Sequence, residues 1–174
     1  MIQPEVQLHK RNNADILIEM ICKLVDIIKY ENQYAFELLC KVTSGKHTTI
    51  DIDNCKVYLK ARKDDDYILV AKEKKGKANT EFICSSLTLK KIMNGMITID
   101  GAIAQNEINI KGSFKELNEV YQLMITLLTE GPLNHRLREL WEDFNENWNC
   151  QEPSLSLQPL EKQKPVFDYL ITPK

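Results

Sequence analysis

Apolar residues in the first quarter of the chain recur at the three-and-four spacing of one helix face: Leu17, Met20, Ile21, Leu24, Val25 and Ile28. Asn12 and Asn13 stand before them with side-chain oxygens able to accept from the free amides of a helix start, so an amphipathic first helix is expected. After a polar break at residues 31–33, Tyr34, Phe36, Leu38 and Leu39 suit either a second short helix or a strand. From His47 the period drops to two. Ile50 and Ile52, Val57 and Leu59, Ile68 and Val70, and Phe82 and Cys84 alternate with polar residues, and the segments DIDN, RKDDD and EKKGKAN fall between the pairs. Alternation broken by turn-forming residues predicts antiparallel strands joined by hairpins.

Ser86 can cap a short helix through Leu89, Ile92 and Met93 that ends at Asn94 and Gly95, where glycine accepts a left-handed backbone without a Cβ clash. Ile108 and Ile110 mark a further strand. Gly112 then permits a sharp turn, and Ser113 caps a helix whose apolar stripe is Leu117, Val120, Tyr121, Met124, Leu127 and Leu128. Gly131 and Pro132 end it, and Leu133, Leu137, Leu140, Trp141 and Phe144 predict one more helix reaching about Trp148. The rest is a proline-spaced linker, QEPSLSLQPLEKQKP, and a last apolar segment, VFDYLI.

Helices and strands are thus segregated rather than alternating, which is an α+β pattern with an antiparallel sheet of about five strands covered by helices. The 174 residues, 43% of them hydrophobic, suit one domain plus a tail. The expected division is a domain over 13–131, followed at 132–174 by a C-terminal helix, linker and apolar tail that packs on the domain or a partner.

Charge changes this picture little. Lys and Arg (23) nearly balance Asp and Glu (25), so no global field draws the protein to nucleic acid or anionic membrane. Five cysteines, an odd number with no C-x-x-C pair, and an N-terminus without a signal-like apolar stretch, read as a reducing cytoplasm. The longest apolar run is broken by Glu19, Lys23 and Asp26, too soon to span a bilayer.

The order of elements and three small residues carry a resemblance. A short helix ending at Gly95, Ala102 seven residues on, and a strand closed by Gly112 before a long amphipathic helix resemble the sterol carrier protein type 2 family of lipid-binding domains. The likeness spans residues 15–130. It departs at Asn106, where the family favours glycine and asparagine is the next most tolerant residue for a left-handed turn, and at Thr80, where the family often has aspartate. The resemblance implies a cavity for an elongated apolar molecule such as a fatty acid, acyl ester, sterol or phospholipid. The lining residues it implies here are Leu89, Ile92, Met93, Ile97, Ile99, Ile103, Phe114, Leu117, Tyr121, Met124 and Leu128. Met93, Met96 and Met124 stand out because flexible thioethers adapt to varied apolar shapes.

Catalytic chemistry finds no foothold in the motifs. His9, His47 and His135 form no H-x-x-x-H pair, and neither a G-x-S-x-G elbow nor a glycine-rich phosphate loop is present. RKDDD lacks the spaced oxygens of a calcium loop and reads as a solvated turn. The lysines of KEKKGK could touch anionic headgroups transiently but also read as a solvated turn. In HRLRELWEDFNENW the acidic residues would repel phosphate, so helix packing explains it. The expectation is therefore a non-catalytic carrier with no cofactor, no metal and no nucleic-acid partner, and a possible homodimer through the tail. The alternative is a protein-interaction, assembly or enzyme accessory module whose cavity has filled with side chains.

Overall fold

The computed structural model describes residues 11–62, 67–73 and 80–149. His9, Cys150, the carboxylates of RKDDD, most of KEKKGK and the VFDYLI tail lie outside the described residues.

Helix α1 (Asn13–Glu31) starts where the asparagines predicted, with the Asn12 side chain accepting the Ala14 amide at 3.0 Å. The ambiguous segment after it is helix α2 (Gln33–Thr43), which Asn32 caps through the Ala35 amide. Strands β1 (Thr48–Ile52) and β2 (Cys55–Ala61) follow, then β3 (Ile68–Ala71) and β4 (Thr80–Cys84). Asp53 and Asn54 both take positive φ between β1 and β2, giving the two-residue hairpin loop whose twist matches the strands. Helix α3 (Ser86–Met93) is capped by Ser85 rather than Ser86, and Gly95 takes the expected left-handed φ of 70° after it. A short helix not anticipated from the pattern, α4 (Ile99–Ala104), is capped by Thr98 and leads to Asn106, whose φ of 57° is the left-handed turn foreseen there. Strand β5 (Ile108–Lys111) and helices α5 (Phe114–Glu130) and α6 (His135–Asn147) complete the order.

The five strands form one sheet in the order β3-β2-β1-β4-β5. The architecture is α+β as expected, with one correction to the pairing: β1 and β4 run parallel, while the other three pairs are antiparallel. Alternation within each strand reveals a half-buried sheet but not which strand lies beside which, so a meander of hairpins was the default reading. Registered partners share a face. One face carries Ile50, Val57, Phe82 and Ile110 in a row across four strands, and the opposite face carries polar pairs such as Asp51 with Lys56 and Glu81 with Lys111.

Helices α1 and α2 cover the apolar face over β2 and β3, where Val57, Leu59, Ala61 and Ile68 are buried together with Leu17, Ile28 and Phe36. Helix α6 lies against α1 and sends Phe144 and Trp148 into the same core. The ring centroids of Trp141 and Phe144 are 5.3 Å apart and stacked, and those of Phe144 and Trp148 are 4.9 Å apart and tilted, so the three rings form one cluster. The chain is fastened where α6 ends. Asn149 donates its amide to the Asn13 side chain at 2.9 Å and accepts from it at 2.8 Å, and the Trp148 indole donates to Asp53 at 2.9 Å.

Candidate functional site

The sheet's apolar face is closed at both ends and half-open in the middle. At one end Thr48 and Thr80 are buried; at the other Ile52, Cys84 and Ile108 are buried beside Ile92, Ile99 and Ala102 of α3 and α4. Between them Ile50, Phe82 and Ile110, adjacent in register on β1, β4 and β5, are only half-buried. Helix α5 is the element whose apolar residues are in the same condition. It packs chiefly on α2 rather than on any strand, and Tyr121, Leu123, Met124, Leu127 and Leu128 touch the core while remaining half-buried.

The eleven lining residues expected from sequence separate by position. Ile92 and Ile99 are ordinary core. Leu89, Ile97, Tyr121, Met124 and Leu128 are half-buried against the core, and Met93 and Leu117 are half-buried as well. Ile103 is 38% exposed and Phe114 88% exposed, so neither is covered by the core. Sequence reasoning nominated only residues from 89 onward and missed the sheet's contribution of Ile50, Phe82 and Ile110. Their alternation was visible in the sequence, but that they stand side by side follows only from the parallel β1–β4 pairing.

Polar bonds fix α5 to the turn after α2 and to α4. Ser113 and Glu116 form a reciprocal cap, with the Ser113 amide donating to Glu116 Oε2 at 2.7 Å and the Glu116 amide to Ser113 Oγ at 3.3 Å. Lys46, in the turn after α2, pairs with the buried Glu116 carboxylate. That lysine, followed by the Ser113 amide, holds the carboxyl well below the usual range, at about 2. One turn further along, Tyr121 donates its hydroxyl to Asp100 of α4 at 3.2 Å. Near the other end of the sheet, Glu107 accepts from Thr88 at 3.0 Å and from Lys91 at 3.3 Å, which ties α3 to the approach to β5.

The remaining polar chemistry is structural in its surroundings. Asp53 accepts the Ser86 amide at 2.9 Å as well as the Trp148 indole. Burial pushes its carboxyl up, but the bonds from Ser86 and Trp148 outweigh it and leave Asp53 below the ordinary range. Burial pushes the Cys84 thiol up to about 12, far from a reactive thiolate. His135 is exposed and sits 3.4 Å from Glu139 on the same helix. Among the described residues no group of three His, Cys, Asp or Glu side chains is gathered as metal ligands would be, and no helix is long and apolar enough to cross a membrane.

Two grooves lie away from the strip: a small one of about 40 Å³ between α1 and α6, and one of about 240 Å³ beside β3.

No family model matches the sequence, and no curated protein matches it. Solved structures do. The chain is similar to a UbiJ-SCP2 ubiquinone synthesis protein, at 15% identity and a TM-score of 0.47 over 63% of this chain and 88% of that one. It is similar to the sterol carrier protein domain 2 of Helicoverpa armigera, at 12% identity and a TM-score of 0.47 over 69% and 94%. The apo form of sterol carrier protein 2 from Yarrowia lipolytica gives 15% identity and a TM-score of 0.43 over 63% and 88%.

Proposed function

We propose that the protein binds an elongated apolar molecule, a fatty acid, acyl ester, sterol or phospholipid, along the strip between the middle of the sheet and α5, and carries it without catalysis in the cytoplasm. The observation that supports this is the half-burial of Ile50, Phe82 and Ile110 on the central strands of a face closed at both ends. Central positions of an apolar sheet face are ordinarily the most deeply covered of all, and leaving three of them partly exposed forgoes a fraction of the about 1.5–3 kcal/mol that full burial of each large side chain brings. An apolar ligand would complete that cover. The tethers at Lys46–Glu116 and Tyr121–Asp100 would let α5 hold its place while the space beside it fills.

The experiment is native mass spectrometry of protein purified without detergent, followed by titration of the delipidated protein with a fluorescent fatty acid. Retained or acquired lipid is the expected result. Met124→Trp, which adds bulk to the strip, should weaken uptake by about tenfold, equivalent to roughly 1.4 kcal/mol, with the fold kept. Delipidated protein that takes up no lipid and is destabilised by the tryptophan has a packed interior. That outcome favours the second reading, an assembly or enzyme accessory module. It draws on Phe114 and on Leu133, which is 84% exposed: both are bare apolar side chains near the two ends of α5.

A further inference from the structure

Strand β3 is the edge of the sheet and pairs only with β2 among the described residues. Arg62 donates its amide to the Tyr67 carbonyl at 3.3 Å. The alternation of an antiparallel ladder then spends the amides of Leu69 and Ala71 on β2 and leaves those of Ile68 and Val70 pointing away from the sheet. The side chains of these same two residues, with Cys22, Val25, Phe36 and Tyr67 and with Asp26 and Lys29 of α1, line the groove of about 240 Å³ beside the edge. Outward-facing backbone donors next to a groove with apolar walls and a charged pair are what an extended amphipathic peptide needs to add as a strand with alternate side chains in the groove. The volume is below the roughly 300–1,000 Å³ of small-molecule sites and suits a few side chains.

The chain carries such a peptide. VFDYLI, residues 166–171, is bracketed by Pro165 and Pro173, which cannot donate to a ladder and so delimit a piece of strand length. In an extended chain Phe167, Tyr169 and Ile171 share one side. The tether fits as well. Asn149 is held by Asn13 at the start of α1, and the groove begins at Cys22 and Val25, nine to twelve residues along that helix, or about 14–18 Å. Residues 150–165 intervene, with prolines at 153, 159 and 165, and a chain of that length spans about 20–24 Å as a coil and up to about 50 Å in the extended proline-rich form, so the groove lies within its reach.

We propose that residues 166–171 add to the open edge of β3 of the same chain as a sixth strand, placing Phe167 and Tyr169 in the groove beside Val25 and Phe36. This docking stands independently of what the strip beside α5 takes up, and it covers an edge that would otherwise template pairing between copies.

Two measurements on the full-length chain test it. Tyr169→Cys, oxidised gently with oxidised glutathione, should form an internal disulfide with Cys22 that runs at monomer mass and disappears in a Cys22→Ser background. Hydrogen exchange read at single amides should find Ile68 and Val70 protected, and Phe167→Asp combined with Tyr169→Pro should make both exchange roughly tenfold faster. A cross-link found at dimer mass would put another copy's segment on the edge and overturn docking within one chain. No cross-link, together with exchange at Ile68 and Val70 unchanged by the double substitution, would overturn the added strand altogether.

Discussion

Glu116 illustrates how much one side chain settles. It caps α5 through Ser113, pairs with Lys46 and is almost wholly buried. Its folded carboxyl sits near 2, below the 4.5 of an unperturbed glutamate, so its contribution is complete above pH 4.5 and is lost as pH falls toward 2. The shift corresponds to at most about 3 kcal/mol, less because Lys46 is 36% exposed and partly screened. Thermal melts from pH 6 to pH 2 should therefore decline steeply below pH 4.5, and Glu116→Gln should lower the neutral-pH melting temperature while flattening that decline. Gly112 is tied to the same carboxylate. Its backbone is not left-handed; a Cβ there would lie 2.9 Å from Glu116 Oε2. Gly112→Val should cost about 1–3 kcal/mol, and the cost should shrink in a Glu116→Ala background, as coupled neighbours require. Equal costs in both backgrounds would mean that the turn itself, not the carboxylate, demands glycine.

Among the elements, α6 is the clearest case of a helix held by its end. Its composition is mostly charged and polar, yet Phe144 and Trp148 are buried in the core shared with α1. Phe144→Ala should destabilise the protein by about 3–5 kcal/mol in denaturant titration, whereas Glu142→Ala, at an exposed position of the same helix, should change little. Both the helix and its aromatic spacing are legible in the sequence, as are the caps at Asn12 and Ser113 and the left-handed turns at Gly95 and Asn106, because each depends on residues within a few positions of one another. The parallel β1–β4 pairing is not, since side-chain alternation is the same in either direction. Nor was α4, where Ile97, Ile99 and Ile103 alternate like a strand while the Thr98 cap bends the backbone into a short helix. The candidate strip inherits this division. Its α5 half was readable from helical periodicity, and its sheet half depended on a long-range pairing.

At the scale of the molecule, apolar surface is distributed unevenly: α1, α2 and α6 close one side of the core, while α5 leaves a partly covered strip. If that strip is a ligand site, binding must stabilise the folded state. An excess of fatty acid at one hundred times its dissociation constant should add about 2.7 kcal/mol, visible as a rise in melting temperature that grows with lipid concentration. A melting temperature that ignores added fatty acid and sterol alike would remove the carrier reading.

The bond from the Trp148 indole to Asp53 also makes the protein its own optical instrument. The chain has two tryptophans, and Trp141 is the half-buried one. In a Trp141→Phe variant the remaining emission would come from a buried ring beside an ionised carboxylate, at the point where the end of α6, the β1–β2 hairpin and the start of α3 meet. A shift of that emission to longer wavelength would report water reaching the junction, and its onset against the loss of far-ultraviolet circular dichroism would tell whether the last helix peels away before the sheet unfolds or together with it.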